Sequence, residues 1–409
     1  MNILLDILSN SQKNGLGEYN RRVVMSLLNY ATKNKLLDIR YFVLYQGLSD
    51  IAYEDMRPET MGKKYDLTYI DVNSGSLQHI VDLYNIDKIY TGSIQLLCAY
   101  ADTENLTCPF IGTIHDLVEE ELSANHINEY LKFISPVQKV KPKRVLDWRA
   151  FIRNKFSSIW MAHYVYKLRK KRTSTKNNVT KRSVELLKNN PQSKIIVVSN
   201  YTKSSLLYYY SVPEEKIITC YSPERVEAAI CPIENQTLKK LIDSGKKYYL
   251  AVSCNRESKN AVKLSHAFSK YAQLDKDAFF AMVAYPYEDI DRLVRLDFLS
   301  DSDLAQAMQH CYALVYPSFF EGFGYPPIEA MRYGKPILAS NATSIPEVLG
   351  GAAIYFSPLY ESAIYDAMKQ LTAENYAIYV QKSLNRYTYV HQKQENDLLT
   401  LLKLIIEKQ

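Results

Sequence analysis

The segment that decides the fold is YPSFFEGFGYPPIEAMRYGKPILASNATSIPEVLGGAAIYFSP (residues 316–358). An apolar strand ends at its start, a glycine-bearing turn follows, and Pro326 and Pro327 open a predicted helix, because proline suits the first helical turn. Gly334 closes that helix as a C-terminal cap, and the runs PILAS and AAIYFS predict two more strands. Strands alternating with helices in this way are typical of parallel sheets covered by helices.

The same alternation extends along most of the chain. We predict further strands in MNILLDIL, DIRYFVLY, DKIYTG, FIGTIHD and KIIVVSN, and then in YYLAVSC, AFFAMVAY and YALVYPS. The polar stretch 222–245 separates the two series, which indicates two similar α/β domains. Ligands of such folds bind at the carboxyl ends of the strands, so we expect the site in the cleft between the domains.

Composition restricts the class of protein. The 409 residues are 47% hydrophobic and 23% charged, which excludes a disordered chain, a collagen and a disulfide scaffold. The six cysteines form no CxxC pair and no metal-ligand spacing, so they indicate reduced thiols of a cytoplasmic protein. No apolar run approaches the ~20 residues of a membrane-spanning helix. The N-terminus lacks the pattern of a signal peptide.

Charge is strongly segregated along the chain. The formal net charge is +6, but residues 132–182 contain sixteen Lys or Arg residues and one acid, Asp147, for a net +15. The remaining chain therefore carries −9. Charge alone permits nucleic-acid binding, but no recognisable nucleic-acid module accompanies it, and we predict no such partner.

Two acids and two glycines mark the turn before the helix of the opening segment. Glu321 and Glu329 have seven residues between them. Gly322 and Gly324 let a ligand approach the backbone closely, and the helix N-terminus offers unpaired N–H groups to an anion. The alternative is an ordinary strand-to-helix connection whose acids are solvated.

This segment resembles the signature of the retaining, GT-B-fold family 4 glycosyltransferases, which use nucleotide-sugar donors. Three other stretches are similar to landmarks of that family, namely TIHDLV (113–118), VVSNYTKSSLL (197–207) and SDSDLAQAMQHCYALVYPS (300–318). The resemblance covers most of the chain outside roughly residues 130–185. It implies two Rossmann-like domains with parallel sheets facing an inter-domain cleft.

The resemblance assigns donor-binding roles to residues of two loops. It places Glu321 against the donor sugar and Glu329 on the nucleotide ribose. In NGLGEYNRRVVMSLL (residues 14–28), the amides of Gly15 and Gly17 would face the donor phosphate and sugar, although a plain tight turn is the alternative. The donor-binding residues expected in this way are Gly15, Gly17, Gly322, Phe323, Gly324, Tyr325 and Glu329.

The resemblance also implies the groups that act on the leaving diphosphate and the sugar. In VSCNRESKN, Lys259 matches the family's phosphate-binding lysine, with Arg256 as its partner, whereas two surface cations are the alternative. His115 follows a predicted strand and would contact the transferred sugar, unless it is a core histidine. We therefore predict Glu321, Lys259, Arg256 and His115 as the catalytic residues.

We predict no catalytic metal and no cofactor other than the nucleotide sugar. Three D-x-D patterns begin at Asp275, Asp289 and Asp301, and such pairs hold a divalent ion in metal-dependent glycosyltransferases of another fold. Chance supplies this pattern freely in a chain of this length. The stretch SDSDLAQAM is better explained as a helix N-cap, because serines and acids satisfy the first helical N–H groups.

The basic segment predicts a contact with a membrane. Between Val145 and Tyr166, apolar residues recur at helical spacing with basic residues at the flanks, and KLRKKR (167–172) extends the charge. A cationic amphipathic helix that carries tryptophan is typical of interfacial membrane binders. The alternative is a stripe packed on the N-terminal domain. The residues assigned to membrane or acceptor binding are Trp148, Arg149, Arg153, Trp160, Lys167, Arg169, Lys170, Lys171 and Arg172.

Two departures from the family pattern leave alternatives open. Ser253 stands where the family usually has glycine, and CYSPERVEAA (220–229) replaces the usual Asn-Gly-Val turn. A catalytically degenerate binding subunit therefore stays open beside the enzyme, as does an epimerase or phosphorylase of the same fold.

The sequence predicts a hexosyltransferase that extends a glycan or lipid-linked acceptor, in bacterial surface polysaccharide or glycoconjugate synthesis. We expect it in the cytoplasm, peripheral at the inner face of the membrane. The acceptor domain is predicted at 1–221 with an insert at about 132–182, and the donor domain at 222–388. The last helix, 389–409, crosses back to the acceptor domain.

Overall fold

The computed structural model describes six segments of the chain, which are residues 1–11, 13–47, 50–121, 179–225, 231–287 and 290–407. They form two sheets with helices around them, and every paired strand is parallel. The predicted α/β class is confirmed.

The first sheet has seven strands in the order β3-β2-β1-β4-β5-β6-β7. Its strands are β1 (Asn2–Asp6), β2 (Arg40–Tyr45), β3 (Leu67–Asp71), β4 (Lys88–Thr91), β5 (Phe110–Ile114), β6 (Lys194–Val197) and β7 (Ile217–Thr219). The accompanying helices are α1 (Gly15–Lys33), α2 (Pro58–Lys64), α3 (Leu77–Tyr84), α4 (Ile94–Tyr100), α5 (Val118–Glu121), α6 (179–189) and α7 (Asn200–Tyr210).

The second sheet has six strands in the order β10-β9-β8-β11-β12-β13. Its strands are β8 (Tyr248–Ala251), β9 (Phe279–Val283), β10 (Leu293–Leu296), β11 (Ala313–Tyr316), β12 (Ile337–Ser340) and β13 (Ala353–Phe356). The helices that follow α7 are α8 (Gln236–Asp243), α9 (Ala261–Leu274), α10 (Asp301–His310), α11 (Tyr325–Arg332), α12 (Ile345–Leu349), α13 (Glu361–Gln370) and α14 (Ala373–Ile406).

Side chains of the central strands form the cores, and local capping fixes several helix starts. Every residue of β8 and β11 is buried. The Asn14 side chain accepts a hydrogen bond from the Gly17 amide at 2.9 Å and begins α1. Ser300 caps α10 through the Asp303 amide at 3.1 Å, which confirms the N-cap predicted for SDSDLAQAM.

Helix α14 is longer than the terminal helix predicted from the sequence, since it begins at Ala373. Its first part packs on α11, and it also contacts α1. Near its end, the ammonium of Lys88 in β4 donates hydrogen bonds to the carbonyls of Leu404 at 3.2 Å and Glu407 at 2.6 Å. A cation at the carboxyl end of a helix is favourable, and this one ties α14 to the first sheet.

The cysteines are free thiols, as predicted, and all are buried except Cys231. Within the described segments, no helix has both the length and the hydropathy that a membrane span requires.

Candidate active site

Three predicted site residues follow carboxyl ends of strands, at or next to the point where each sheet reverses its strand order. In the first sheet β1 and β4 are neighbours, and in the second β8 and β11 are neighbours. The loops that leave such strands diverge and open a crevice at their carboxyl ends. Lys259 follows β8, Glu321 follows β11 and His115 follows β5, so the topology brings three distant segments to one cleft.

Lys259, Tyr316 and Glu321 form a compact cluster at the second of these points. The Lys259 ammonium donates to the Tyr316 hydroxyl at 2.9 Å and pairs with the Glu321 carboxylate. The side chains of Lys259 and Glu321 are 9% and 16% exposed, so water screens the pair only partly. Burial, and then the charge of Glu321, raises the pKa of Tyr316 far above its usual value, and its hydroxyl stays protonated.

The backbone of Gly322 lies directly against the His115 turn of the first sheet. A Cβ atom at Gly322 would stand 2.2 Å from the His115 carbonyl oxygen, a distance that no real contact permits. Glycine is needed here for a close approach. Gly324 differs, because its φ of 96° favours glycine in its own right and it precedes α11.

The His115 ring is held beneath the cleft in one tautomer. Its Nε2 lies 2.8 Å from the Gly92 carbonyl oxygen, and because a carbonyl only accepts, Nε2 carries the proton. The Tyr19 ring packs edge-on at 4.6 Å. Burial lowers the pKa of His115 from 6.5 to about 4, against the opposing effect of the Gly92 hydrogen bond. Nδ1 is therefore an acceptor at neutral pH.

We expect His115 to remain neutral through the working pH range. Titration of His115 should therefore contribute no inflection near pH 6.5 to the pH profile of kcat. The wild type and His115→Gln should have profiles of the same shape in this range. Because the folded-state pKa is depressed, the contribution of His115 to folding free energy is present above pH 6.5 and declines as the pH falls towards about 4. Kinetics and urea unfolding of both proteins between pH 4.5 and 8 measure these effects. A wild-type inflection at pH 6–7 that is lost in His115→Gln would contradict the assignment.

Glu329 is paired with an arginine that sequence reasoning missed. The Arg225 Nη1 lies 3.2 Å from the Glu329 carboxylate, and its guanidinium stacks 4.8 Å from the centre of the Tyr325 ring. Burial raises the pKa of Glu329, and the charge of Arg225 acts in the opposite direction. The available signal was the departure from Asn-Gly-Val, since Arg225 belongs to the segment that replaces it.

Two more described residues of that segment, Pro223 and Glu224, contact α11 and α14. The Pro223 carbonyl accepts a hydrogen bond from the Tyr325 hydroxyl at 3.1 Å. Glu224 pairs with Arg332 of α11 and accepts from the Tyr387 hydroxyl of α14 at 2.6 Å. These contacts hold Pro223 and Glu224 beside α11.

A cavity of about 580 Å³ joins Glu329 to the first loop. On one side it is lined by Asn14 and Glu18 of the α1 N-terminus, and on the other by Arg225, Asp301 and Glu329. Within that loop, the Gly17 amide already donates to Asn14. A Cβ at Gly15 would meet open space. The structure therefore places the glycine loop and Glu329 around one cavity.

Other predicted residues have different surroundings. Arg256 is exposed, whereas Lys259 is buried, so a shared role on a diphosphate stays a prediction. Phe323 is buried against Tyr221, with ring centres 5.2 Å apart. Ser253 adopts a φ of 58°, the left-handed region that favours glycine, so the serine occupies the backbone conformation that the family's glycine would take readily.

In the described part of the chain, no three His, Cys, Asp or Glu residues are grouped to hold a metal ion. Asp303, of the third D-x-D pattern, instead accepts from the amides of Glu234 at 3.1 Å and Asn235 at 2.9 Å. The residues assigned to membrane or acceptor binding, from Trp148 to Arg172, lie outside the described segments.

Residues 232–386, which include Lys259, Glu321 and Glu329, match the family model described as glycosyl transferases group 1. The chain contains a group 1 glycosyltransferase domain. Curated relatives of this chain include the serotype-specific mannosyltransferase WbdA of Escherichia coli, 28% identical over 183 residues, which are 40% of this chain and 22% of WbdA. The O-antigen chain mannosyltransferase RfbU of Salmonella typhimurium is 29% identical over 191 residues, 43% of this chain and 50% of RfbU. The match thus spans from a fifth to half of these relatives.

Solved structures with the same fold match this chain along nearly its whole length. A sucrose-phosphate synthase from Thermosynechococcus elongatus has a TM-score of 0.63 at 14% identity, over 99% of this chain and 98% of that one. Anabaena HepE, crystallised with UDP, has a TM-score of 0.60 at 16% identity over the same shares. The two-sheet arrangement is the GT-B fold, which confirms the predicted architecture.

Proposed function

We propose that this protein transfers a hexose from a nucleoside diphosphate sugar to a hydroxyl of a glycan or lipid-linked acceptor, with retention of anomeric configuration. The observation that carries the proposal is the Lys259–Glu321 pair, set at the carboxyl ends of β8 and β11 opposite His115. The relatives are mannosyltransferases, two of them named for serotype or O-antigen, which favours mannose as the sugar and a bacterial surface polysaccharide as the product.

Departure of the diphosphate is the step that needs positive charge. Lys259 supplies a buried ammonium. At the N-terminus of α11, the amides of Gly324 and Tyr325 can also face the diphosphate, whereas Pro326 and Pro327 have no N–H. Such groups stabilise charge that develops on a leaving group, and each is commonly worth ~3 kcal/mol of the barrier. Glu321 pairs with Lys259, and donor binding exchanges part of this contact for a phosphate oxygen.

Two groups hold the transferred sugar. The Glu321 carboxylate accepts hydrogen bonds from sugar hydroxyls, and its backbone is fixed because its amide donates to the Thr343 hydroxyl at 3.0 Å. Neutral His115 offers Nδ1 as a further acceptor from the opposite side of the cleft. Both groups orient the sugar, and neither is required to transfer a proton.

Glu329 and Arg225 bind the nucleotide ribose together. An ionised carboxylate accepts both ribose hydroxyls, and the charge of Arg225 favours the ionised form of Glu329, against burial, which raises its pKa.

Arg225→Gln should raise the donor KM about tenfold, equivalent to ~1.4 kcal/mol, because Glu329 then loses its charge partner. The effect should shrink as the pH rises, since a protonated Glu329 becomes ionised again. The control is Arg40→Gln, which removes an exposed guanidinium at the start of β2. Donor titrations at pH 6, 7 and 8 measure the change; a KM equal to that of the wild type at pH 6 contradicts the role.

Metal independence is part of the proposal. The cations that act on the diphosphate are side chains, so turnover should persist in chelator. A loss of activity in EDTA that manganese restores would overturn this part.

We propose that the acceptor is met at an anionic membrane face on the cytoplasmic side, through the +15 segment. Each basic residue near an anionic leaflet adds ~1 kcal/mol to binding. Changing Lys167, Arg169, Lys170, Lys171 and Arg172 to glutamine should lower binding to anionic vesicles by at least tenfold and leave donor hydrolysis unchanged. The matched control changes five exposed lysines elsewhere, namely Lys35, Lys63, Lys239, Lys270 and Lys276. Equal vesicle binding by all three proteins would contradict the membrane contact.

One experiment tests the reaction itself. The protein is incubated with UDP-, GDP- and dTDP-sugars, and nucleotide release is followed with and without membrane extract. Release that depends on the extract supports transfer. Conversion without an acceptor indicates an epimerase or phosphorylase, and nucleotide binding without turnover indicates a degenerate subunit.

A further inference from the structure

A carboxylate from the second sheet caps a helix of the first sheet. Glu347 lies in α12, which follows β12, and its two oxygens accept hydrogen bonds from the amides of Asn200 at 2.9 Å and Tyr201 at 3.0 Å. These are the first residues of α7, which follows β6. The first amides of a helix have no partner within it and carry partial positive charge. The contact is thus a charge-assisted bridge across the cleft.

On the second-sheet side, the bridge is connected to the backbone of Glu321. The Glu321 amide donates to the Thr343 hydroxyl at 3.0 Å, and the Ser344 hydroxyl donates to the Glu321 carbonyl at 2.8 Å. Ser344 immediately precedes α12, which carries Glu347. The position of Glu321 is therefore fixed relative to the Glu347 carboxylate.

On the first-sheet side, the bridge is connected to His115. Thr202 follows Tyr201 in α7, and its hydroxyl donates to the His115 carbonyl at 3.2 Å. The same carbonyl lies against Gly322. The Tyr201 and Phe320 rings meet edge to face at 6.2 Å. The contacts form a closed ring that runs from Glu321 through Glu347 and α7 to His115, and through Gly322 back to Glu321.

We propose that Glu347 is a positioning residue for sugar transfer, which holds the two sheets in the arrangement where His115 faces Glu321. The inference rests on the proposed function. Glu347 acts through the α7 N-terminus and touches no reacting atom. Donor affinity comes mainly from groups of the second sheet, so loss of the bridge lowers turnover and leaves donor binding nearly unchanged. Small displacements of reacting groups are costly, about a hundredfold for ~1 Å.

The test compares Glu347→Ala and Glu347→Gln with Ser199→Ala in the full-length chain. Ser199 caps the same helix from its own side, because its hydroxyl accepts from the Thr202 amide at 3.2 Å. We expect Glu347→Ala to lower kcat about tenfold or more with donor KM within about twofold, and Glu347→Gln to fall between it and the wild type. Ser199→Ala should keep kcat within about twofold. Equal losses of kcat in Ser199→Ala and Glu347→Ala would show that Glu347 only caps the helix, and would overturn the positioning role.

Amide hydrogen exchange of a peptide that covers residues 199–203 supplies a second readout, independent of activity. The amides of Asn200 and Tyr201 should be protected in the wild type and exchange rapidly in Glu347→Ala. Rapid exchange in the wild type overturns the bridge. If the amides are protected in the wild type but Glu347→Ala has unchanged kcat, the bridge stands and the positioning role is wrong. Protection with no turnover from any donor refutes the proposed function, and the positioning role with it, while the bridge stands.

Discussion

Replacing Lys259 by alanine should lower kcat by about a hundredfold or more. The ammonium is buried beside Glu321 and Tyr316, where little water is available to take over its role on the departing diphosphate. Lys259→Arg keeps the charge in a different shape and should recover part of the activity. Turnover of each variant with the best donor measures the effect.

The control for this prediction is Lys270→Ala, an exposed lysine on α9 of the same glycosyltransferase domain. It should have wild-type kcat. Because Lys259→Ala leaves Glu321 without its partner, urea unfolding of each variant separates lost stability from lost chemistry. A folded Lys259→Ala protein with near-normal kcat would refute the assigned role.

Gly322→Ala should lower kcat by a factor of about ten to a hundred, because it separates the two halves of the site. The new methyl group would stand 2.2 Å from the His115 carbonyl oxygen, which belongs to the backbone and cannot rotate away. The loop that carries Gly322, between β11 and α11, and the His115 turn must therefore move apart. Affinity for the nucleoside diphosphate should change less than kcat, and calorimetry together with turnover separates the two.

Gly351→Ala is the matched control, since a Cβ at Gly351 meets nothing within 4 Å. This variant should fold and turn over like the wild type. The contact at Gly322 predicts that Gly322→Ala lowers kcat because His115 is displaced. Normal kcat in this variant would show that the two loops do not meet during turnover.

The central strands and the edge strand β13 could be predicted from the sequence, and the other three edge strands could not. Every strand predicted from an apolar run is present. The three that were missed are β3, β7 and β10, and each lies at an edge of its sheet. The half-exposed residues of β3 and β10 show that these strands are covered by fewer neighbours, so they carry no continuous apolar run to mark them.

For the candidate site, the sequence predicted residues but not partners. Glu321, Lys259 and His115 were identified by their motifs, and the structure links their loops through the Lys259–Glu321 pair and the Gly322–His115 contact. Arg225 was missed because it lies where the motif changes, and it carries no pattern of its own. Its pairing with Glu329 depends on a fold that brings together residues 104 positions apart.

The sequence by itself determined the alternation of buried strands and helices, the glycine turns and the segregation of charge, because each is written in local spacing. Only the tertiary structure decided that Gly322 serves a close approach and that Glu347 caps a helix of the other sheet. These facts depend on distances between segments far apart in the chain. Such distances follow from how two sheets pack, which no local pattern encodes.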